Sequence, residues 1–311
     1  MSAGAGQTRS RRALPITAGE LVAPGYEVIE HLRRGNDLDV YDVWSVERRS
    51  RCVVKALRGD RLDRERSRQM LIDEGVLLSR LSHPHIVRAY ETLTEPRPLI
   101  VLETLGGETL SHLIDRDGPG ETEAIAHLGL HLGSAIHYLH HNGVLHLDLK
   151  PSNVIAEAGR AKLIDLSLAR PPGEAHAGIG TWHYLSPEQA RGGELTAAAD
   201  VWGLGAVLFE TATGEAPFDD DPDAWTDPET DSSDTYSDAT LERYPQLERR
   251  ARRPEAVRPL SSQLADSIAA CLEPEPADRP ALEELMVGFE HLAGLPPAER
   301  RWSARRRDAQ R

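Results

Sequence analysis

Four polar side chains of the kind that do chemistry fall close together near the middle of the sequence. Asp148 and Lys150 stand two residues apart in His146-Leu147-Asp148-Leu149-Lys150-Pro151-Ser152-Asn153, and Asp165 opens Asp165-Leu166-Ser167. Asn153 and Asp165 add two side chains with polar oxygen atoms. Taken singly these segments are bland: an isolated Asp-Leu-Lys-Pro is an ordinary turn. A second polar pair lies upstream. Leu71, Leu78 and Leu81 share one face of a helix expected over 70–81, and Glu74 falls on that same face. A carboxylate inside an apolar stripe is costly unless it is paired. Either Glu74 reaches water at the edge of the stripe, or a lysine from a neighbouring strand meets it. Lys55, at the end of the apolar run Cys52-Val53-Val54, is the candidate partner.

The elements that must position these groups follow from the hydrophobic pattern. Residues 26–102 read as strands with one helix inserted: Tyr26-Glu27-Val28-Ile29, Val40-Tyr41-Asp42-Val43-Trp44, Cys52 to Leu57, Ile86-Val87 and Leu99-Ile100-Val101-Leu102. After about 105 the period becomes helical. Ala124, Leu128, Leu132, Ala135, Ile136 and Leu139 form one long stripe, which Asn142-Gly143 ends. Val144-Leu145-His146 and Ala161-Lys162-Leu163-Ile164 read as two short strands, and further helices are expected at 197–213, 260–272 and 280–293. Residues 1–23, rich in Gly, Ser, Arg and Ala, read as a disordered tail; 219–238 is an acidic insert; 296–311 is a basic tail. The expected class is α+β, a small β-rich lobe (about 24–102) followed by a larger helical one (about 105–295).

Composition narrows the function. The chain has 311 residues, 40% of them hydrophobic and 28% charged, which is ordinary for a globular protein. A formal net charge of −14 argues against general nucleic-acid binding. Cys52 and Cys271 are too few and too far apart for a disulfide framework, so a reducing cytoplasm is expected. No run approaches the ~20 apolar residues of a membrane span, and no apolar core follows the N-terminal arginines as in a signal peptide. The thirteen histidines complete no zinc pattern with Cys or carboxylates.

The order and spacing of the motifs over residues 24–295 resemble the bacterial eukaryotic-like (Hanks-type) serine/threonine protein kinases, whose signature is H-R-D-L-x-x-x-N followed by D-F-G. The resemblance implies the two-lobed protein kinase fold and transfer of the γ-phosphoryl of ATP to protein Ser or Thr hydroxyls with Mg²⁺. It places Asp148 as catalytic base and Lys150 on the transferring phosphate. Asn153 and Asp165 become the metal ligands, Lys55 the α/β-phosphate lysine and Glu74 its helix partner. Glu103, Thr104 and Leu105 match the hinge that holds adenine. Leu32, Val40, Val53, Leu102, Ile155 and Ile164 match the apolar slot around it, and Gly35 the phosphate loop. Gly180-Thr181-Trp182-His183-Tyr184-Leu185-Ser186-Pro187-Glu188 matches the segment ending in A-P-E, Asp200 the helix residue that anchors the catalytic loop, and Arg279 the partner of Glu188.

Departures from the family pattern carry expectations of their own. In Arg33-Arg34-Gly35-Asn36-Asp37-Leu38-Asp39-Val40 only Gly35 remains of the glycines. Arg33 and Asp39 are read as standing at the outer positions, and an Asp there should repel phosphate and weaken ATP binding. Val53 replaces a smaller Ala and should narrow the slot. Ser167 replaces the Gly of D-F-G and should stiffen that turn, because residues with a Cβ avoid positive φ. Leu147 replaces the Arg that reads an activation-loop phosphate, and 168–180 contains no Ser, Thr or Tyr, so activity is expected not to depend on phosphorylation there. A pseudokinase, acting as a nucleotide-binding or scaffold module, is the alternative that the altered loop favours; a small-molecule kinase of related fold is the third. Any regulatory signal is expected from a cytosolic protein partner, from the acidic insert or from the tails.

Overall fold

A computed structural model describes residues 13–218 and 244–295. The acidic insert, residues 1–12 of the N-terminal segment and the basic tail at 296–311 lie outside the described residues. The chain divides after Gly106 into two compact units.

The N-terminal unit is built on an antiparallel sheet: β1 (Leu21–Ala23), β2 (Tyr26–Arg34), β3 (Leu38–Ser45), β4 (Ser50–Leu57), β5 (Ala89–Leu93) and β6 (Leu99–Glu103), in the order β1-β2-β3-β4-β6-β5. Strand alternation sorts β4 into two faces. Cys52, Val54 and Ala56 join Tyr41, Val43, Tyr26, Val28, Leu99 and Val101 in a buried cluster. Val53 and Lys55 point the other way. The register puts Val40 opposite Lys55, and Lys55 opposite Ile100, so these three share a face. The single helix α1 (Glu65–Arg80) buries Leu71, Glu74, Gly75 and Leu78. Gly75 is required there, because a Cβ would lie 2.2 Å from Thr92 Oγ1 on β5.

Two expectations for this unit are corrected. Residues 13–23 are not a disordered tail: β1 pairs with β2, Ile16 packs on the buried cluster, and its N–H donates to the Tyr41 hydroxyl. Composition misled, since a few apolar contacts outweigh the Gly and Ser around them. The strand expected at Ile86-Val87 forms three residues later as β5, while Ile86 and Val87 are buried in the preceding loop.

The C-terminal unit is mainly helical. Its helices are α2 (Leu110–Asp117), α3 (Thr122–His141), α4 (Pro187–Arg191), α5 (Ala197–Thr213), α6 (Pro245–Glu248), α7 (Ser262–Cys271) and α8 (Leu282–Leu292). Helix α5, capped by Thr196 and ended by left-handed Gly214, is buried almost all round, with Trp202, Leu204, Leu208 and Phe209 inside. Each large apolar side chain buried so completely stabilises the unit by about 1.5–3 kcal/mol. Small strands carry the loops: β7 (Glu108–Thr109), β8 (Val154–Glu157) and β9 (Arg160–Leu163) form one sheet, and β10 (Gly173–Ala175) pairs with β11 (Gly193–Leu195). The strand expected at 144–146 reduces to one bridge, Leu145 to Arg170, because Asp200 takes the next two amides.

Candidate active site

In the N-terminal unit Lys55 Nζ lies 2.9 and 2.7 Å from the two carboxylate oxygens of Glu74, and both residues are buried. This resolves the alternatives left by the helix pattern in favour of a pair. Strand β4 fixes the lysine, and packing of α1 on the sheet fixes the glutamate. Breaking such a pair would strand a buried charge. Val40 and Val53, half-exposed beside Lys55, and buried Leu102 line the same face, while Leu32 is half-exposed at the strand end. Glu103 ends β6, its carboxylate accepting from the Arg88 N–H. Leu105 follows it, half-buried.

The loop between β2 and β3 overturns one reading. Counted back from Val40, the family's glycines fall at 33, 35 and 38, so the third position is Leu38 and not Asp39. The register pairs Asp39 with Arg34 on the face opposite Lys55. There Asp39 is buried, with its carboxylate 3.1 Å from His31 Nε2 and 3.8 Å from Arg34 Nε. The repulsion of phosphate expected from Asp39 therefore has no geometric basis.

In the C-terminal unit the catalytic loop follows α3. Asp200 on α5 accepts from the backbone N–H groups of His146 and Leu147, each at 2.8 Å, and lies 2.7 Å from His140 Nε2. Burial pushes the Asp200 carboxyl up, but the hydrogen bond and charge of His140, with His146 beside it, more than offset this and hold it below the ordinary range. Burial likewise pushes the His146 imidazole down, against the pull of Asp200, Asp148 and Asp165. A neutral ring suits its Nδ1, which accepts the Asp148 N–H.

Around Asp148 two predicted residues, Asn153 and Lys150, converge with Thr181. Asn153 Nδ2 donates to the Asp148 backbone oxygen and to Oδ2, both at 3.0 Å. Lys150 Nζ lies 2.7 Å from Asp148 Oδ2 and 2.6 Å from Thr181 Oγ1, which donates to Asp148 Oδ1 at 2.6 Å. The carboxylate is thus held on both oxygens. Two donated bonds orient the Asn153 amide, so that its hard oxygen Oδ1 points away from Asp148. Asp165 Oδ1 accepts from the Ser167 N–H, which turns the short loop after β9. Ser167 has no positive φ, so that turn does not ask for a glycine; Leu147 does have one, at φ 64, a conformation costing about 1–2 kcal/mol. Ile155 on β8 and Ile164 beyond β9 are half-buried, and Ile164 N–H bonds to the Asn153 carbonyl.

The side chain of Leu147 has a role that the sequence did not reveal. It is buried with Leu145, Leu195 and Ala199, and Ala175 and Ile179 of the following segment pack against them. Gln189, 2% exposed, completes the tie. Its amide nitrogen donates to the Leu147 and Ile179 carbonyls, both at 2.8 Å, while its oxygen accepts the Ser186 N–H in a capping box. Apolar contact and one buried amide thus join catalytic loop and activation segment where the family uses Arg and phosphate. A Gln directly after S-P-E was the available signal.

Residues 26–288 match the protein kinase domain family, and the chain belongs to it. It is 36% identical over 206 residues to serine/threonine-protein kinase PknB of Mycobacterium leprae, covering 62% of this chain and 33% of that protein. It is also 36% identical over 220 residues to PknB of Mycobacterium tuberculosis, with 66% and 35% covered. With serine/threonine-protein kinase PrkC of Bacillus subtilis it shares 32% identity over 208 residues, covering 65% and 32%. The chain spans about a third of the length of these relatives. Among the described residues no helix is long and apolar enough to cross a membrane.

Proposed function

We propose that this chain transfers the γ-phosphoryl group of ATP to Ser or Thr hydroxyls of protein substrates in the cytoplasm. The observation that carries this reading is the closed network Asp148–Thr181–Lys150–Asn153. It holds a carboxylate ready to accept a hydroxyl proton and an ammonium ready to meet the phosphoryl group. Phosphoryl transfer asks the protein for alignment and neutralisation more than for covalent chemistry. Asn153 and Asp165 offer the hard oxygen donors that suit Mg²⁺, which when bound would neutralise charge on the phosphates. Lys55, oriented by Glu74, would take the α- and β-phosphates, and Leu32, Val40, Val53, Leu102, Ile155 and Ile164 the adenine, with Glu103 and Leu105 as hinge. The altered phosphate loop supports a pure binding module less than its sequence suggested, because Asp39 faces away from Lys55.

The test is transfer of labelled γ-phosphate from Mg·ATP, by the chain and by Asp148→Asn, to itself and to a basic protein. Label on Ser or Thr that disappears in the variant is the expected result. Absence of label from folded wild type at saturating ATP would overturn the proposal.

Regulation follows from the Leu147 cluster. The segment is held by buried contacts, so wild type treated with a phosphatase and mapped for phosphosites is expected to keep its rate within about twofold, with no phosphate at 168–180. Control by a protein partner is proposed in place of loop phosphorylation. An essential phosphate in that stretch would refute the apolar tie as the holding device.

A further inference from the structure

The β2–β3 loop has lost two of the three glycines that let a backbone approach phosphate, yet five arginines surround it: Arg33, Arg34, Arg58, Arg61 and Arg64. Four are consumed within the N-terminal unit. Arg58, 3% exposed, donates to the Gly35 and Asn36 carbonyls at 2.9 and 2.8 Å and grips Asp60 with its other nitrogens. Arg61 and Arg64 each lie 3.4 Å from Asp37 Oδ1, whose other oxygen accepts from Ser67. Arg34 bonds the Ala13 carbonyl and lies near Asp39 and Asp60. The loop is therefore shaped by side chains where the family uses glycine flexibility, and its one carboxylate, Asp37, is neutralised.

Arg33 differs from the other four. It is exposed and makes no hydrogen bond or ion pair among the described residues. The register shifts between His31 and Arg33, so the bulge sets Arg33 opposite Val40, which in turn lies opposite Lys55. Cross-strand partners share a face, so the backbone of Arg33 stands two strands from that of Lys55, about 10 Å away along the sheet, and its side chain leaves on the face that carries Val40, Val53 and Lys55. Lys55 is already neutralised by Glu74, which leaves Arg33 as uncompensated positive charge on that face.

We infer that Arg33 is a phosphate-binding residue for the nucleotide, its side chain supplying the charge and N–H donors that glycine backbone amides supply elsewhere in the family. The inference rests on the kinase reading of this face. An Arg fork gives strong, charge-assisted bonds to phosphate oxygens, and a partly solvated one loses strength to salt. It follows that restoring the family's glycine harms binding.

The experiment is calorimetric titration of ATP, ADP and adenosine into wild type, Arg33→Gly, Arg33→Gln and Arg33→Lys, in Mg²⁺ at two salt concentrations. Arg33→Gly and Arg33→Gln are expected to bind ATP about three- to tenfold more weakly, consistent with loss of one charge-assisted contact. Adenosine affinity and melting temperature should not move, Arg33→Lys should recover part of the loss, and the deficit should shrink as salt rises. Arg33→Gly binding ATP as tightly as wild type or more tightly, or an equal loss for adenosine, overturns the inference. Wild type that binds adenosine but does not prefer ATP also overturns it while leaving the fold assignment intact. Wild type that binds no nucleotide at all removes the kinase reading and this one with it.

Discussion

Asp148→Asn is expected to lower the rate of phosphoryl transfer by about 10²–10⁴-fold, the range a positioned general base contributes. It should leave nucleotide affinity within a few-fold and the melting temperature nearly unchanged. The expectation comes from what each oxygen does. Oδ1 accepts the Thr181 hydroxyl, and Oδ2 receives Asn153 Nδ2 and lies against the Lys150 ammonium. An amide keeps one acceptor but must present an NH₂ group either to Thr181 or to the two donors on the other side. It also cannot take a proton from a substrate hydroxyl. Because the loop backbone is anchored through Asp200 and the His146 and Leu147 amides, the substitution leaves its path intact. Single-turnover transfer measured beside nucleotide titration separates chemistry from binding. A variant within tenfold of wild type in rate would mean that Asp148 is not the proton acceptor. A variant equally poor in rate and in nucleotide affinity would mean that the loop had collapsed.

How much of this site was legible in the sequence depends on whether a residue's constraint is local. The Lys55–Glu74 pair could be anticipated because a carboxylate in an apolar helical stripe demands a partner, and only one strand ended in a suitable cation. Asp148, Lys150, Asn153 and Asp165 could be placed because their spacing matches a known family signature, and the structure brings the first three together with Thr181. Helix α5 was expected at 197–213 and forms over Ala197–Thr213. What stayed hidden depends on register and on long-range polar contact. Which face Asp39 takes is decided by its place in the β3–β4 register, opposite Ala56, and a shift of one residue reverses every side chain. Arg58 is one arginine among many in sequence, yet it holds two loop carbonyls some twenty residues away. Gln189 and Leu147 find each other across about forty residues, which no periodicity encodes. Residues 13–23 were misjudged for the same reason: their order comes from contacts with Tyr41 and β2, not from their own composition.

Arg279 carries the largest structural expectation. All five of its N–H donors are used: Nη1 and Nη2 meet the two Glu188 oxygens at 2.5 and 2.8 Å, and the rest go to the carbonyls of Ala198, Glu273 and Pro274. Its side chain is fully buried, with the guanidinium 5.1 Å from the Trp202 ring. Glu188 sits in α4, directly between the capping Ser186 and the tying Gln189. Arg279→Met keeps much of the volume but leaves a largely buried carboxylate and three carbonyls without this donor. Removing one partner of such a pair costs about 3–5 kcal/mol. Arg279→Lys should do little better, since three donors on a flexible stem cannot reproduce a planar fork. Equilibrium denaturation should show this loss, and the double variant Arg279→Met with Glu188→Gln should recover part of it by removing the stranded charge, giving a coupling energy in the range expected for contacting residues, about 0.5–3 kcal/mol. Additive single losses, or an Arg279→Met penalty below about 1 kcal/mol, would show that α4 is held by its capping box and apolar contacts alone. Because α4 also carries the Gln189 tie to Leu147, loss of Arg279 should weaken transfer at temperatures where the protein is still folded, with peptide-substrate KM rising before nucleotide affinity changes.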